Sequence, residues 1–340
     1  MKTFMPKTVI IRENALEYPL GEKLYNLFQK EDVDLHIVSE RGHFPFDYNV
    51  SFNKNFHRAK KTVLITVRSL SKFQSCKPSA HYQLPLVSGC PAHCHYCYLS
   101  TNLGKKPYIK IYVNIEEIFE KAKKYMKERA PEETIFEGAA TSDPLPVEKW
   151  SGSLSKTIKF FANSKLGRFR FVSKFSEVDP FLDLKHNKRT EIRFSLNSKY
   201  AIKKFEPTTP PLKERIEASK KIHAADYPLG FLIAPIFIYD GWEKEYEELI
   251  KKLSTVLANN GRNISFELIT HRFTERAKKV IEKAYPNTEL PMNEEVRDFK
   301  YGQFGYGKYV YPAKTMKKTG DFFREKINKY LPETEIKYFV

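Results

Sequence analysis

The chain has 340 residues, 14% of them aromatic and 41% hydrophobic, enough for a sizeable core and too rich in apolar residues for a disordered chain. Lys and Arg number 58 against 41 Asp and Glu, a net charge of +17 that favours a polyanionic partner, although a basic and inert surface carries the same charge. Four cysteines, three of them in one short loop, do not make a disulfide framework, and the N-terminal MKTFMPKTVIIRENAL lacks the apolar run and cleavage site of a signal peptide.

In chain order, Thr8–Asn14 reads as a strand, the region around Glu22–Lys30 as a helix and Val33–Glu40 as a second strand. A loop rich in aromatic and basic residues, 43–61, precedes a strand at Thr62–Ser69. Six further β-rich runs follow: Tyr82–Val87, Glu133–Ala140, Arg168–Lys174, Glu191–Asn197, Gly230–Ile238 and Ile264–Thr270. Helical patterns separate them at Ile115–Arg129, Val147–Asn163, Leu212–Ala225, Glu243–Ala258 and Glu275–Tyr285. Strands alternating with helices predict an α/β fold, a partial (β/α)6 TIM-like barrel, with a doubly wound open sheet as the alternative. Glycines among the aromatics of Val296–Pro312 predict a β-hairpin, and Asp321–Tyr330 a closing helix. The expected division is an N-terminal α/β extension at 1–75, the barrel at 76–290, and a DNA-facing hairpin and helix at 291–340. The most apolar run, Leu229–Tyr239, is too short to span a bilayer and contains Pro235, so a soluble cytoplasmic protein with no membrane partner is expected.

Cys90, Cys94 and Cys97 directly follow the first strand of the βα series. Thiolate is a soft ligand suited to iron–sulfur clusters and to zinc, and three thiolates on a cubane leave one iron open. Spacing alone also allows zinc held by the three cysteines with His93, His95 or His43, whereas Cys76, on a Lys- and Ser-rich segment, reads as a small buried residue.

The C-x3-C-x2-C loop with an aromatic before its last cysteine resembles the signature of radical S-adenosylmethionine enzymes. The segments CPAHCHYCYL, EGAATSDPLPVE, FVSKFSEVD and RFSLNS resemble the spore photoproduct lyase family over nearly the whole chain. The resemblance implies a 4Fe–4S cluster on Cys90, Cys94 and Cys97 that cleaves S-adenosylmethionine. It implies a carbon–carbon lyase that returns a methylene-bridged thymine pair in ultraviolet-damaged double-stranded DNA to two thymines. Residues at the C-terminal ends of strands supply the candidates for binding S-adenosylmethionine: Tyr96, Ser142, Asp143, Lys174, Ser195, Asn197 and Ala234. Ser142 or Asp143 would equally serve as the cap of the following helix. Tyr98 and Tyr96 are the candidate hydrogen relay. The family places a hydrogen-donating cysteine where this chain has Ala140, which predicts poor quenching of the product radical.

For DNA the candidates are His271, Arg272, Arg297, Lys300, Tyr301, Tyr306, Lys308 and Tyr309, with aromatics to wedge and cations to meet phosphates. A hairpin packed on the barrel with a basic outer face is the alternative. Arg58, Lys60, Lys61 and Arg68 form a second basic group that reads equally well as a solvated face. The expected partner is a reductant such as flavodoxin or ferredoxin, and the expected setting a monomer inside the spore or germinating cell. A radical enzyme acting on RNA or protein and a zinc-dependent nucleic-acid-binding protein are the competing functions. A flavin photolyase lacks its glycine-rich fingerprint here.

Overall fold

The computed structural model describes residues 4–47, 49–104, 106–257, 264–301, 305 and 307–340. The chain divides into two compact units. The first comprises Met1–Pro91, Leu103–Ser173 and Glu177–Glu191, and the second Ala92–Asn102, Lys174–Ser176 and Ile192–Val340. These cuts fall at other places than residues 75 and 290.

The first unit contains a five-stranded sheet in the order Asp34–Val38, Thr8–Arg12, Thr62–Thr66, Ile109–Tyr112 and Val87–Ser88. All its pairings are parallel except the last. Val9, Ile10 and Ile11 are wholly buried, as expected of a central parallel strand covered on both faces. The segment expected to be a loop at 43–61 instead holds a helix, Phe52–Ala59. Ser51 caps it by accepting the Lys54 N–H at 3.4 Å, while Phe56 and Ala59 turn inward. Its basic residues hid a short apolar face.

Four more strands of this unit lie in the order Gly167–Ser173, Thr134–Glu137, Ala80–Gln83 and Ser75–Cys76, the last antiparallel. The strand expected at Tyr82–Val87 is split around Pro85, which has no N–H for a ladder. Its halves, Ala80–Gln83 and Val87–Ser88, join different sheets. The helix expected at Val147–Asn163 breaks at Gly152, which adopts φ +61°. Buried Glu148 bridges the break by accepting the N–H groups of Leu154 and Ser155 at 2.8 and 2.9 Å.

In the second unit, strand Thr190–Leu196 from Ile192 onward, Leu229–Ile236, Ile264–Thr270 and Glu335–Phe339 run parallel. Helices Lys199–Phe205, Leu212–Ala224, Trp242–Val256, Glu275–Ala284 and Ala313–Tyr330 alternate with them. Phe194, Phe231 and Phe266 stand in register, each wholly buried. The last strand, EIKYF, was not anticipated, because its alternating polar residues suit a half-buried edge rather than a core run. The last helix starts at Ala313, eight residues before the expected Asp321. The predicted hairpin forms from Asp298–Tyr301 and Gly307–Val310. Among the described residues, no helix is long and apolar enough to cross a membrane.

Candidate active site

In the first unit, Gly89 connects strand Val87–Ser88 to Cys90. It adopts φ +82°, and a side chain there would lie 2.3 Å from the Tyr108 carbonyl oxygen, so the position requires glycine. Its N–H donates to the Thr141 carbonyl at 2.9 Å and its carbonyl accepts the Asp143 N–H at 3.3 Å. This ladder ties the approach to Cys90 to the segment Ala140–Asp143. Cys90 is half-buried, and its carbonyl accepts the Lys60 ammonium at 2.9 Å. Lys60 is wholly buried, which removes it from any solvated basic face.

Asp143 is buried and accepts the Ser173 hydroxyl at 2.8 Å and the Leu145 N–H at 3.3 Å. Ser142, also buried, donates to the Gly138 carbonyl at 3.3 Å. Both side chains fix the turn at 138–145, and neither caps the helix Glu148–Ser151 that follows. Ala140 is half-buried and Thr141 exposed. A cavity of about 170 Å³ is lined by Phe73, Gln74, Gln83, Ser88 and Thr141, among others. Cys76 is half-buried rather than buried, because its two-residue strand lies at the edge of the sheet. The Glu137 carboxylate accepts from the Ala139 N–H at 3.1 Å and from Ser79, in the turn after Cys76, at 3.3 Å.

In the second unit, Cys94 is buried and Cys97 half-buried. The Cys97 N–H donates to the Cys94 carbonyl at 3.3 Å, and the Thr101 N–H to the Cys97 carbonyl at 3.2 Å, which opens helix Tyr98–Leu103. The loop is pinned by the His95 N–H on the Phe205 carbonyl at 3.0 Å and the His93 N–H on the Thr208 hydroxyl at 2.8 Å. The His95 ring stacks on Tyr285 at 4.4 Å, and its Nδ1 lies 2.9 Å from the Thr288 hydroxyl. Among the described residues, no three Cys, His, Asp or Glu side chains converge into a preformed metal cage. The donor set still fits a cluster: no disulfide joins the four cysteines, and the three of the loop offer soft ligands only.

The second unit also contains a group of buried charges that the sequence did not single out. Glu206 and Arg215 are both wholly buried. Glu206 Oε1 accepts the Tyr96 phenol and lies 3.5 Å from the Lys174 ammonium. Its Oε2 accepts the Arg215 guanidinium at 2.6 Å and the Thr209 hydroxyl at 3.3 Å. Lys174 donates to the Ser195 hydroxyl at 2.6 Å, and Arg215 to the Ser195 carbonyl at 3.1 Å. The Lys174 ammonium also lies 5.6 Å from the centre of the Tyr96 ring. Burial raises the Glu206 pKa, but Arg215, Lys174 and the Tyr96 hydroxyl overrule it and bring it down to about 2. Burial, followed by the Glu206 charge, pushes the Tyr96 phenol well up. Tyr96 is thus held protonated against a permanently charged carboxylate. Nothing local in KKFEPTTPPLKER marks Glu206, since Arg215 lies nine residues on, inside the next helix, and Lys174 comes from a distant segment.

Asn197 is wholly buried with both ends of its amide engaged, Oδ1 by the Tyr246 hydroxyl at 2.7 Å and Nδ2 on the Pro235 carbonyl at 2.9 Å. Its amide ties this strand end to Tyr246 and to the Pro235 carbonyl. Ala234 is half-buried, and Tyr98 is 62% exposed.

The residues proposed to meet DNA divide into two sets. His271 is 2% exposed, and Arg297 donates to its carbonyl at 2.9 Å while lying 3.6 Å from the Tyr311 ring centre. Burial and the Arg297 charge lower the His271 pKa to about 3, so it is a neutral packing residue, not a surface cation. Tyr309 stacks on Phe273 at 5.2 Å, and Lys308 is half-buried. Arg272, Lys300 and Tyr301 are exposed, while Tyr306 lies outside the described residues.

The family model for spore photoproduct lyase matches residues 4–340. The chain belongs to the spore photoproduct lyase family. A spore photoproduct lyase of Clostridium acetobutylicum is 46% identical over 336 residues, covering 99% of each chain. One of Bacillus subtilis is 46% identical over 337 residues, 99% of this chain and 98% of that one. A solved spore photoproduct lyase, with bound AdoMet and dinucleoside spore photoproduct, is 44% identical over the whole of both chains with a TM-score of 0.94. That protein is a double variant, with alanine replacing cysteine at position 140 and cysteine replacing serine at position 76. The spore photoproduct lyase fold, an α/β partial barrel of the radical S-adenosylmethionine type, is therefore the fold of this chain.

Proposed function

We propose that this chain repairs ultraviolet-damaged DNA by splitting the spore photoproduct into two thymines. S-adenosylmethionine would bind at a 4Fe–4S cluster on Cys90, Cys94 and Cys97. The observation that carries this reading is the three-thiol loop in a chain similar over its full length to a protein solved with both AdoMet and the lesion. When bound, the cluster and S-adenosylmethionine supply a radical that removes one hydrogen atom from the lesion.

The chain's own groups do the rest. The three thiolates leave one metal position for the cofactor's amino-acid end. Lys174 and Ser195 offer a cation and a hydroxyl at that end, already ordered by Glu206 and Arg215. Ser142 and Asp143 contribute through the turn they fix, and Ala234 through its small side chain. Tyr96 is anchored on Glu206, and Tyr98, next to Cys97 in sequence, stands exposed to relay a hydrogen atom. The exposed hairpin residues and the net charge of +17 suit the DNA backbone. The electron comes from a one-electron reductant such as flavodoxin or ferredoxin, in the spore or germinating cell.

After the bridge breaks, the thymine radical needs a hydrogen atom, and Ala140 has no weak bond to give. We place the donor at Cys76. The double variant above pairs alanine at 140 with cysteine at 76, the combination this chain carries. Here Glu137 links the turn after Cys76 to the backbone immediately before Ala140. The S–H bond breaks as the thymine C–H bond forms. The thiyl radical left on Cys76 would regain a hydrogen atom through Tyr98 and Tyr96 from the 5′-deoxyadenosine C–H bond that holds the atom taken from the lesion, leaving the adenosyl radical again.

The test is anaerobic reconstitution followed by repair of the dinucleoside lesion. Native protein should bind iron and release two thymines, and Cys94→Ala should do neither. Stoichiometric zinc without iron in the native protein would overturn the lyase reading. Cys76→Ser should lower thymine yield at least tenfold and raise by-products, with Ala140→Cys restoring it. An unchanged yield from Cys76→Ser would remove that donor and leave the lyase standing.

A further inference from the structure

We infer that Lys60 raises the reduction potential of the metal cluster by holding a fixed positive charge at the backbone of its first ligand. This rests on the cluster reading of the cysteine loop. Lys60 closes helix Phe52–Ala59, its N–H donating to the Phe56 carbonyl at 3.2 Å. Two residues later the chain enters strand Thr62–Thr66, flanked by Thr8–Arg12 and Ile109–Tyr112, so the position of Lys60 is set by the sheet. Its ammonium lies 5.9 Å from the Phe56 ring centre and 2.9 Å from the Cys90 carbonyl.

Lysine is among the residues least often fully buried, yet Lys60 has no exposed surface. Burying an ammonium is costly and calls for polar partners, one of which is the Cys90 carbonyl. The loop chemistry places an anion on that same residue: the Cys90 thiolate with the metal it would ligate. A 4Fe–4S centre on three thiolates carries net negative charge, and more once reduced. Cluster potentials respond to nearby charge, to hydrogen bonds and to solvent exposure. A cation shielded from water is weakly screened, so it favours the reduced form.

The experiment is a redox titration of the reconstituted holoprotein without DNA, followed by electron paramagnetic resonance, with iron measured in every sample. Lys60→Met fills the buried space without the charge, Lys60→Gln keeps a hydrogen-bond donor without the charge, and Lys60→Arg keeps the charge. At a fixed potential, Met and Gln should each lower the ratio of reduced to oxidised cluster about tenfold, a midpoint ~59 mV more negative. Arg should stay near the native value. A native midpoint in either uncharged variant with full iron overturns the inference. So does a shift in Met alone, which would assign the effect to the hydrogen bond. If one uncharged variant fails to fold, the other decides. Native protein that takes up no iron–sulfur cluster would instead defeat the underlying reading.

Discussion

Two regions of the second unit treat charge and aromatic surface in opposite ways. Around Glu206, a carboxylate and a guanidinium are fully buried, and every carboxylate oxygen has a named donor. In the hairpin, Phe299 is 52% and Tyr301 78% exposed, with exposed Lys300 between them. Their rings meet edge to face at 5.4 Å, and Gly307 permits this arrangement, since a side chain there would lie 2.1 Å from the Phe299 ring. The first region spends its polarity internally, which fixes Tyr96 and Lys174. The second leaves apolar and cationic surface for something else to cover. A radical enzyme acting on DNA needs both: immobile groups near the chemistry, and an adaptable surface where a stack of bases must be opened.

The largest expected effect breaks the first region. Glu206→Gln keeps the shape but leaves Arg215 and Lys174 facing a neutral amide. Removing one partner of a buried ion pair costs about 3–5 kcal/mol, and the Arg215 guanidinium has no solvent to compensate it. Denaturant unfolding of the metal-free protein measures it, and a loss under about 1 kcal/mol would show that the carboxylate is not the anchor. The pH dependence of this group lies far from neutrality. Its pKa is depressed, so its stabilisation is present above the ordinary carboxylate range and is lost only as pH falls toward about 2.

His271 gives the next effect, with its loss at milder acidity. Its folded pKa lies at about 3, below the ordinary 6.5. The unfolded chain therefore binds the extra proton between those values, and stability falls as pH drops from about 6.5 toward 3. The slope for one such group is about 1.4 kcal/mol per pH unit. Stability curves at pH 7 and pH 5.5 should diverge by about 1.3 kcal/mol more in the native protein than in His271→Gln. Equal divergence in both would show that His271 is not buried as a neutral ring.

The same contrast explains what could be read from sequence. Parallel strands covered on both faces announce themselves, as Val9–Ile11 and Phe231–Ile233 do, and the cysteine loop is legible because its ligands are contiguous. Strand Glu335–Phe339 and helix Phe52–Ala59 escaped because their polar residues weakened the period. Glu206 escaped for a deeper reason. A buried charge is permitted only by partners, and Lys174 and Arg215 lie 32 residues before it and 9 after it, beyond any local pattern. His271 and Lys60 misled in the reverse direction, since basic residue types suggested solvent or phosphate and the fold buried both.

The smallest effects concern the hairpin and should leave the first region untouched. Base–aromatic stacking contributes about 1–3 kcal/mol per base, so Tyr301→Ala should weaken binding of lesion-containing duplex by about one to two orders of magnitude. Lys300→Ala should cost less and reduce the dependence of log affinity on log salt by roughly one. Neither change should alter unfolding stability or turnover of the isolated dinucleoside, because both side chains are exposed and make no contact with the Glu206 network. Titration against duplexes of increasing length separates the two effects. A residue that stacks in the opened helix acts once bases flank the lesion, whereas a phosphate contact acts only once the duplex is long enough to reach it. Equal losses on the dinucleoside and on long duplex would place Tyr301 at the reacting bases rather than at the opened stack.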